Sequence, residues 1–168
     1  MTLDRISKAA QGVGLCVRGA FHTAPEDGAP IGTQTLVLLG PDEPGFWDRF
    51  RASPEYLDGQ PDPLDRWSVR TISTIAPEFD ALALYPFGGP PYQPFLRWAA
   101  LSARATPSPI GLLVHDTAGL FIAFRGALAM ETRLDLPVPP AKPCDTCATR
   151  PCETACPVGA LDTGTPYD

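Results

Sequence analysis

This chain of 168 residues is poor in three things: basic charge, histidine and uninterrupted apolar sequence. Thirteen Lys and Arg stand against nineteen Asp and Glu, a formal charge of −6. Proteins that grip a phosphate backbone need clustered Lys and Arg, so no nucleic acid partner is expected. An acidic chain suits docking on a basic protein instead. The longest apolar stretch, Ile110 to Met130, is broken by His115, Asp116 and Arg125. Such a stretch does not cross a bilayer cheaply, and no membrane partner is expected. The N-terminus mixes charges from Asp4 and Arg5 onward and has no apolar signal core. These features predict a cytoplasmic protein.

Several motifs are also missing. There is no Gly-x-Gly-x-x-Gly, no phosphate loop ending in Gly-Lys-Ser/Thr and no Gly-x-Ser-x-Gly elbow. Nucleotide-dependent and serine-hydrolase chemistry therefore has no support. Proline and glycine are plentiful, at 21 and 15. Their sum stays below the roughly 25–30% share that marks low-complexity chains, so they predict turns and loops. With 44% apolar residues, a chain of this length builds a real core and buries roughly 70% of its extended surface.

The cysteines carry the chemistry. Cys144, Cys147, Cys152 and Cys156 fall within thirteen residues, spaced C-x2-C-x4-C-x3-C and followed by Pro157. In a reducing compartment four thiols so close are better read as metal ligands than as two disulfides. The bacterial iron–sulfur run is C-x2-C-x2-C-x3-C-P. This chain departs from it only by two extra residues between the second and third Cys. Proline after the last Cys ends the wrap around a cluster, and Gly159 permits close backbone approach. The competing reading is a small zinc knuckle, which usually adds a His ligand and a basic, aromatic loop. Here the loop holds Asp145, Arg150 and Glu153, with no aromatic and no His nearby. The fifth cysteine, Cys16, reads as a small buried hydrophobe.

Cys144 to Leu161 resembles the ferredoxin-type [4Fe–4S] domain. In two-cluster members the first three Cys hold one cluster and the fourth belongs to the other. The resemblance then implies one cluster on Cys144, Cys147 and Cys152, with Cys156 serving a second. No Cys follows Cys156, so the expectation is a chain cut from a longer protein, with further ligands beyond Asp168. The alternative is that Cys156 completes one local four-Cys cluster. Either arrangement implies a redox protein partner.

A pass along the remaining chain gives alternating elements. Gly14 to His22 and Thr35 to Leu39 read as adjacent strands, the second covered on both faces. Ala24 to Thr33 reads as a loop. Phe46, Trp47 and Phe50 have helical spacing. Asp62-Pro63 starts a helix, with Asp62 as cap and Leu64, Trp67, Ile72 and Ile75 inward. Ala81 to Phe87 reads as a strand, Gly88 to Pro91 as a sharp loop, and a helix follows from about Pro94 with Phe95, Leu96, Trp98 and Leu101. Ile110 to Val114 and Leu120 to Phe124 predict a hairpin turning at Asp116 to Gly119. Arg133 to Pro143 carries four prolines and reads as an extended linker. The order predicts an α+β domain, a mainly antiparallel sheet with packed helices, over residues 1–136. Residues 137–168 are the linker and the start of a ferredoxin-like, Cys-rich metal loop.

A second resemblance covers most of the chain. Ile110-Gly-Leu-Leu-Val-His115, Gly119-Leu-Phe-Ile-Ala-Phe-Arg-Gly-Ala127, the proline linker and the Cys run resemble epoxyqueuosine reductase and its cobalamin-binding relatives. That likeness implies a flavin-reductase-like α+β domain with cobalamin or flavin as a cofactor, and oxidoreductase activity. The family usually carries Gly-Trp-x-Gly-Lys-Asn where this chain has Ala103 to Pro109, and Thr-Asp where it has Met130-Glu-Thr132. No catalytic residue is carried over.

Other residues read more plainly. His22 and His115 are expected as partly exposed side chains with local hydrogen bonds. Tyr92 and Phe95 beside Gly88-Gly89 are read as a strand-to-helix turn with core aromatics ahead of a ligand-stacking loop. Glu26-Asp27 and Asp42-Glu43 are expected in solvated loops.

Overall fold

The computed structural model describes residues 1–161. Residues 162–168, the end of the expected iron–sulfur segment, lie outside the described part, as do any ligands beyond Asp168. The fold is α+β. Four antiparallel strands form the main sheet: β1 (Leu15–His22), β2 (Thr35–Pro41), β6 (Gly126–Met130) and β3 (Leu82–Leu84), in the spatial order β1-β2-β6-β3. The expected strand pair is present, with Leu15 opposite Pro41, His22 opposite Thr35, and a bulge between Val17 and Gly19.

Helices cover both sheet faces. On one side lie α1 (Leu3–Gly12), α2 (Phe46–Arg51), α3 (Pro54–Leu57) and α4 (Pro63–Ile75). Ile6, Phe46, Phe50, Trp67, Ile72 and Ile75 pack there against Val37, Leu39, Leu128 and Met130. On the other side α5 (Phe95–Leu101) sets Phe95 and Trp98 against Leu36, Leu38, Ala127 and Ala129. Alternate residues of a strand face opposite ways. The unbroken apolar run of β2 is therefore required by cover on both faces.

Four expectations are corrected, and a fifth point adds an element. First, the hairpin pairs β4 (Ala105–Pro107) with β5 (Leu113–His115), Thr106 lying opposite Val114. The turn at Asp116 to Gly119 does close, through His115 N–H to Gly119 O and the reverse, each 3.0 Å. Leu120 to Phe124 then leaves without forming a strand, and Phe121 is 94% exposed. The strand comes later, in β6, whose small Ala127 and Ala129 make room for Trp98. Second, the strand expected over Ala81 to Phe87 shrinks to Leu82–Leu84, and Tyr85 and Phe87 stack on each other beyond it. Third, Asp62 does not cap α4 with its side chain; it adopts the left-handed conformation, φ 51°. Arg66 ties that end instead, bonding both oxygens of Asp58 and the carbonyl of Pro61. Fourth, Asp27 is buried: it accepts from Ala24 N–H at 2.8 Å and pairs with Arg97 at 3.1 Å. Fifth, α1 was not among the elements read from sequence; Thr2 caps it and Ile6 and Ala10, one turn apart, face the core.

Phe95 enters the core as expected, whereas Tyr92, expected there beside it, is exposed, as is Leu96. No helix among the described residues is long and apolar enough to cross a membrane.

Gly126 offers a sharp packing test. A Cβ there would lie 2.5 Å from Ile72 Cδ1 and 2.9 Å from the Leu84 carbonyl oxygen. Gly126→Ala is expected to destabilise by about 1–3 kcal/mol through overpacking. Gly12 has open space around its Cβ position, and Gly12→Ala should be stabilising by up to about 1 kcal/mol. Urea midpoints of the two variants measure both signs.

Candidate metal centre

The chain reaches the cysteine segment along an anchored strap. Leu134 is buried, its N–H donates to Thr35 Oγ1 at 3.0 Å, and its carbonyl lies 2.8 Å from His22 Nε2. Pro137 to Pro140 then run past Leu3, Val17 and Ala20, flanking one cavity of about 270 Å³. Proline suits such a strap because it fixes φ and leaves few N–H groups in need of partners.

Two short 3₁₀ turns carry two of the four cysteines. Pro143–Asp145 holds Cys144, and Pro151–Glu153 holds Cys152. Proline opens both turns, where its missing N–H has no partner to lose. Cys147 N–H donates to the Cys144 carbonyl at 3.4 Å, a bend across the C-x2-C spacing. The two extra residues of the C-x4-C spacing lead into Arg150, which turns the chain at φ 41° and pairs with Glu153. Gly159 adopts φ 70°, and its N–H donates to the Cys156 carbonyl at 3.1 Å.

Cys156 has the most developed surroundings. The backbone amides of Val158 first, then of Ala160 and Gly159, belong to the turn that follows it and hold its thiol below the usual value. Hydrogen bonds to the charged form favour it. Amides near a sulfur are among the features that tune an iron-bound thiolate. All four cysteines are half-buried. Among the described residues, no three Cys, His, Asp or Glu side chains gather closely enough to hold one ion. The four thiols match a cluster in number and donor type, but the described residues do not gather them into one ligand set. Metal sites of this kind form together with their loops.

The remaining candidates are structural. Cys16 donates to the Pro41 carbonyl at 3.1 Å, and burial pushes its thiol up. His115 is 1% exposed, correcting the expected half-exposed state. Thr117 and Ala118 N–H groups each donate to its Nδ1 at 3.1 Å, so the proton sits on Nε2, facing the Arg18 carbonyl at 2.7 Å. The ring is a strut between β1 and the β5 turn. His22 bonds Leu134, a contact 112 residues away, which is why no local pattern showed it.

Burial holds His115 below its ordinary value of about 6.5, although the Arg18 carbonyl and Asp116 pull the other way. The unfolded chain therefore takes up a proton that the folded chain refuses. The stability contributed by neutral His115 is complete above about pH 6.5 and is lost as pH falls below it. His115→Gln is expected to flatten the fall in urea midpoint between about pH 7 and about pH 5; parallel curves for variant and parent would contradict this.

No family model, no curated protein and no solved structure matches this chain.

Proposed function

We propose that the chain is an iron–sulfur redox protein whose Cys144, Cys147, Cys152 and Cys156 bind a [4Fe–4S] cluster. The carrying observation is the C-x2-C-x4-C-x3-C-P run, joined to the backbone amides of Val158, Ala160 and Gly159, which hold the Cys156 thiol below its usual value. A bound cluster supplies one-electron transfer. The chain's own contribution is to furnish four thiolates, to favour the charged form of Cys156 through the amides that follow it, and to keep the segment against the α+β domain through Leu134. The net charge of −6 favours a basic redox partner.

Zinc is the competing occupant, since a four-thiolate set also suits it. Reduction with dithionite under argon separates the two. The iron–sulfur reading expects bleaching of a brown chromophore and a paramagnetic signal that disappears on reoxidation. A colourless protein that shows no signal after reduction sinks it. Titration with cobalamin and with flavin mononucleotide tests the reductase reading that the resemblance implies; a spectral shift that saturates supports a cofactor on the α+β domain.

A further inference from the structure

A second candidate site lies where the end of α1, the α2–α3 junction and one face of α4 meet. They border an open cleft of about 270 Å³. That is just below the usual metabolite range of about 300–1,000 Å³, so it has room for a small acid and none for a nucleotide. Its polar lining includes two arginines and no carboxylate. No residue of the cysteine segment borders it, and nothing about it rests on the iron–sulfur reading.

The two arginines are held in place and differ in charge balance. Arg49 of α2 donates through Nη1 to the Gly12 carbonyl at 2.7 Å. Gly14 leaves room for that side chain, since a Cβ there would lie 2.5 Å from Arg49 Cδ. Arg70 of α4 is clamped by both oxygens of Glu55, and the charges of that pair cancel. Arg49 takes part in no ion pair among the described residues. One positive charge is therefore unmatched in the cleft, although the chain as a whole carries −6.

Two buried donors of the same cleft lack partners. Trp67 and Thr71 are 2% and 3% exposed, four residues apart on α4 and so on one face of it. Comparable groups are bonded: Trp98 Nε1 to the Asp27 carbonyl, Ser68 and Thr74 to carbonyls one turn back. The Trp67 indole N–H and the Thr71 hydroxyl have no such bond among the described residues. Neither is sealed away, for the atoms cut off from solvent and partner alike are Arg18 Nε, Thr106 Oγ1 and Ser108 Oγ. The little surface that Trp67 and Thr71 keep thus includes their polar atoms, and this cleft is what both residues border. Buried polar groups are nearly always paired. An indole N–H only donates, which excludes a cation, and its strongest partner is a charged oxygen. We propose that the cleft binds a small monocarboxylate, whose oxygens accept from the Arg49 guanidinium, the Trp67 indole N–H and the Thr71 hydroxyl. One carboxylate matches the one unmatched charge; a phosphate ester, at about −1.5 to −2, exceeds it.

NMR of the full chain titrated with acetate reads the site directly, because three tryptophans give three indole N–H signals. The Trp67 signal is expected to shift and saturate, while that of Trp98, already bonded to Asp27, stays in place. Thr71→Val removes the hydroxyl at nearly constant volume, and Arg49→Gln removes the charge. Each should weaken acetate about tenfold or more, from one lost bond to a charged group. Arg49 is exposed, so its variant keeps the test alive if the Thr71 variant folds poorly. Arg51→Gln removes an equal charge from α2 outside the cleft and should leave the affinity at the parent value. Inorganic phosphate should bind more weakly than acetate. A Trp67 signal that acetate leaves unmoved overturns the proposal. Tighter binding of phosphate overturns it too, as does equal weakening by Arg49→Gln and Arg51→Gln.

Discussion

Cys147→Ala and Cys156→Ala are each expected to leave the chain with almost no iron, while Cys16→Ala keeps the parent content. The argument is one of shared coordination. A cluster takes four thiolates, and the chain offers four within thirteen residues. Cys16 is no substitute, because it sits on β1 with its thiol on the Pro41 carbonyl and raised by burial. Losing one ligand opens an iron to water and oxidant, and the loop has no nearby His to replace it. Cys156→Ala also removes the thiol that the amides of Val158, Ala160 and Gly159 hold below its usual value. Cys152→Ser is a useful companion, since oxygen binds these soft ions less well than sulfur. Iron by mass spectrometry on anaerobically purified variants gives the answer. Equal iron in the Cys147 and Cys16 variants would remove the ligand assignment.

Trp98→Ala is expected to destabilise the fold by about 3–5 kcal/mol, the range for truncating a buried Trp. Trp98 is 0% exposed and lies at the centre of the second core face, beside Phe95. Its indole N–H donates to the Asp27 carbonyl at 2.8 Å, and Asp27 in turn holds Arg97 and the Ala24 amide. One side chain thus joins α5, the sheet and the loop after β1. Domains of this kind are stable by only about 5–15 kcal/mol, so the loss approaches total unfolding. Trp98→Phe keeps most of the apolar contact but leaves the Asp27 carbonyl unpaired, at a cost of about 1–3 kcal/mol. Urea denaturation at neutral pH orders parent, Phe and Ala variants in that sequence; an Ala variant as stable as the Phe variant would refute the hydrogen-bonded packing account.

Particular residues show what was legible in the sequence. The run Thr35 to Leu39 declared a strand covered on both faces, and α-helices are present on both. Strand β6 did not declare itself, because Ala127 and Ala129 are poor strand formers, chosen here for their smallness beneath Trp98. The more apolar Leu120 to Phe124 took the assignment in its place, yet Phe121 points into water. Asp27 read as a solvated loop residue since its partner Arg97 lies 70 residues away. The spacing of Cys144, Cys147, Cys152 and Cys156 showed four soft donors close together in the chain. The distance between their sulfurs was not legible, for spacing fixes how far chain segments can reach and not where they rest.

Metal and acid-labile sulfide, assayed together on the anaerobically prepared chain, test the central claim most directly. The account predicts iron and sulfide in a one-to-one ratio, the stoichiometry of a [4Fe–4S] cluster, with zinc at trace level. Stoichiometric zinc without sulfide would contradict it and make the segment a zinc-stabilised interaction module.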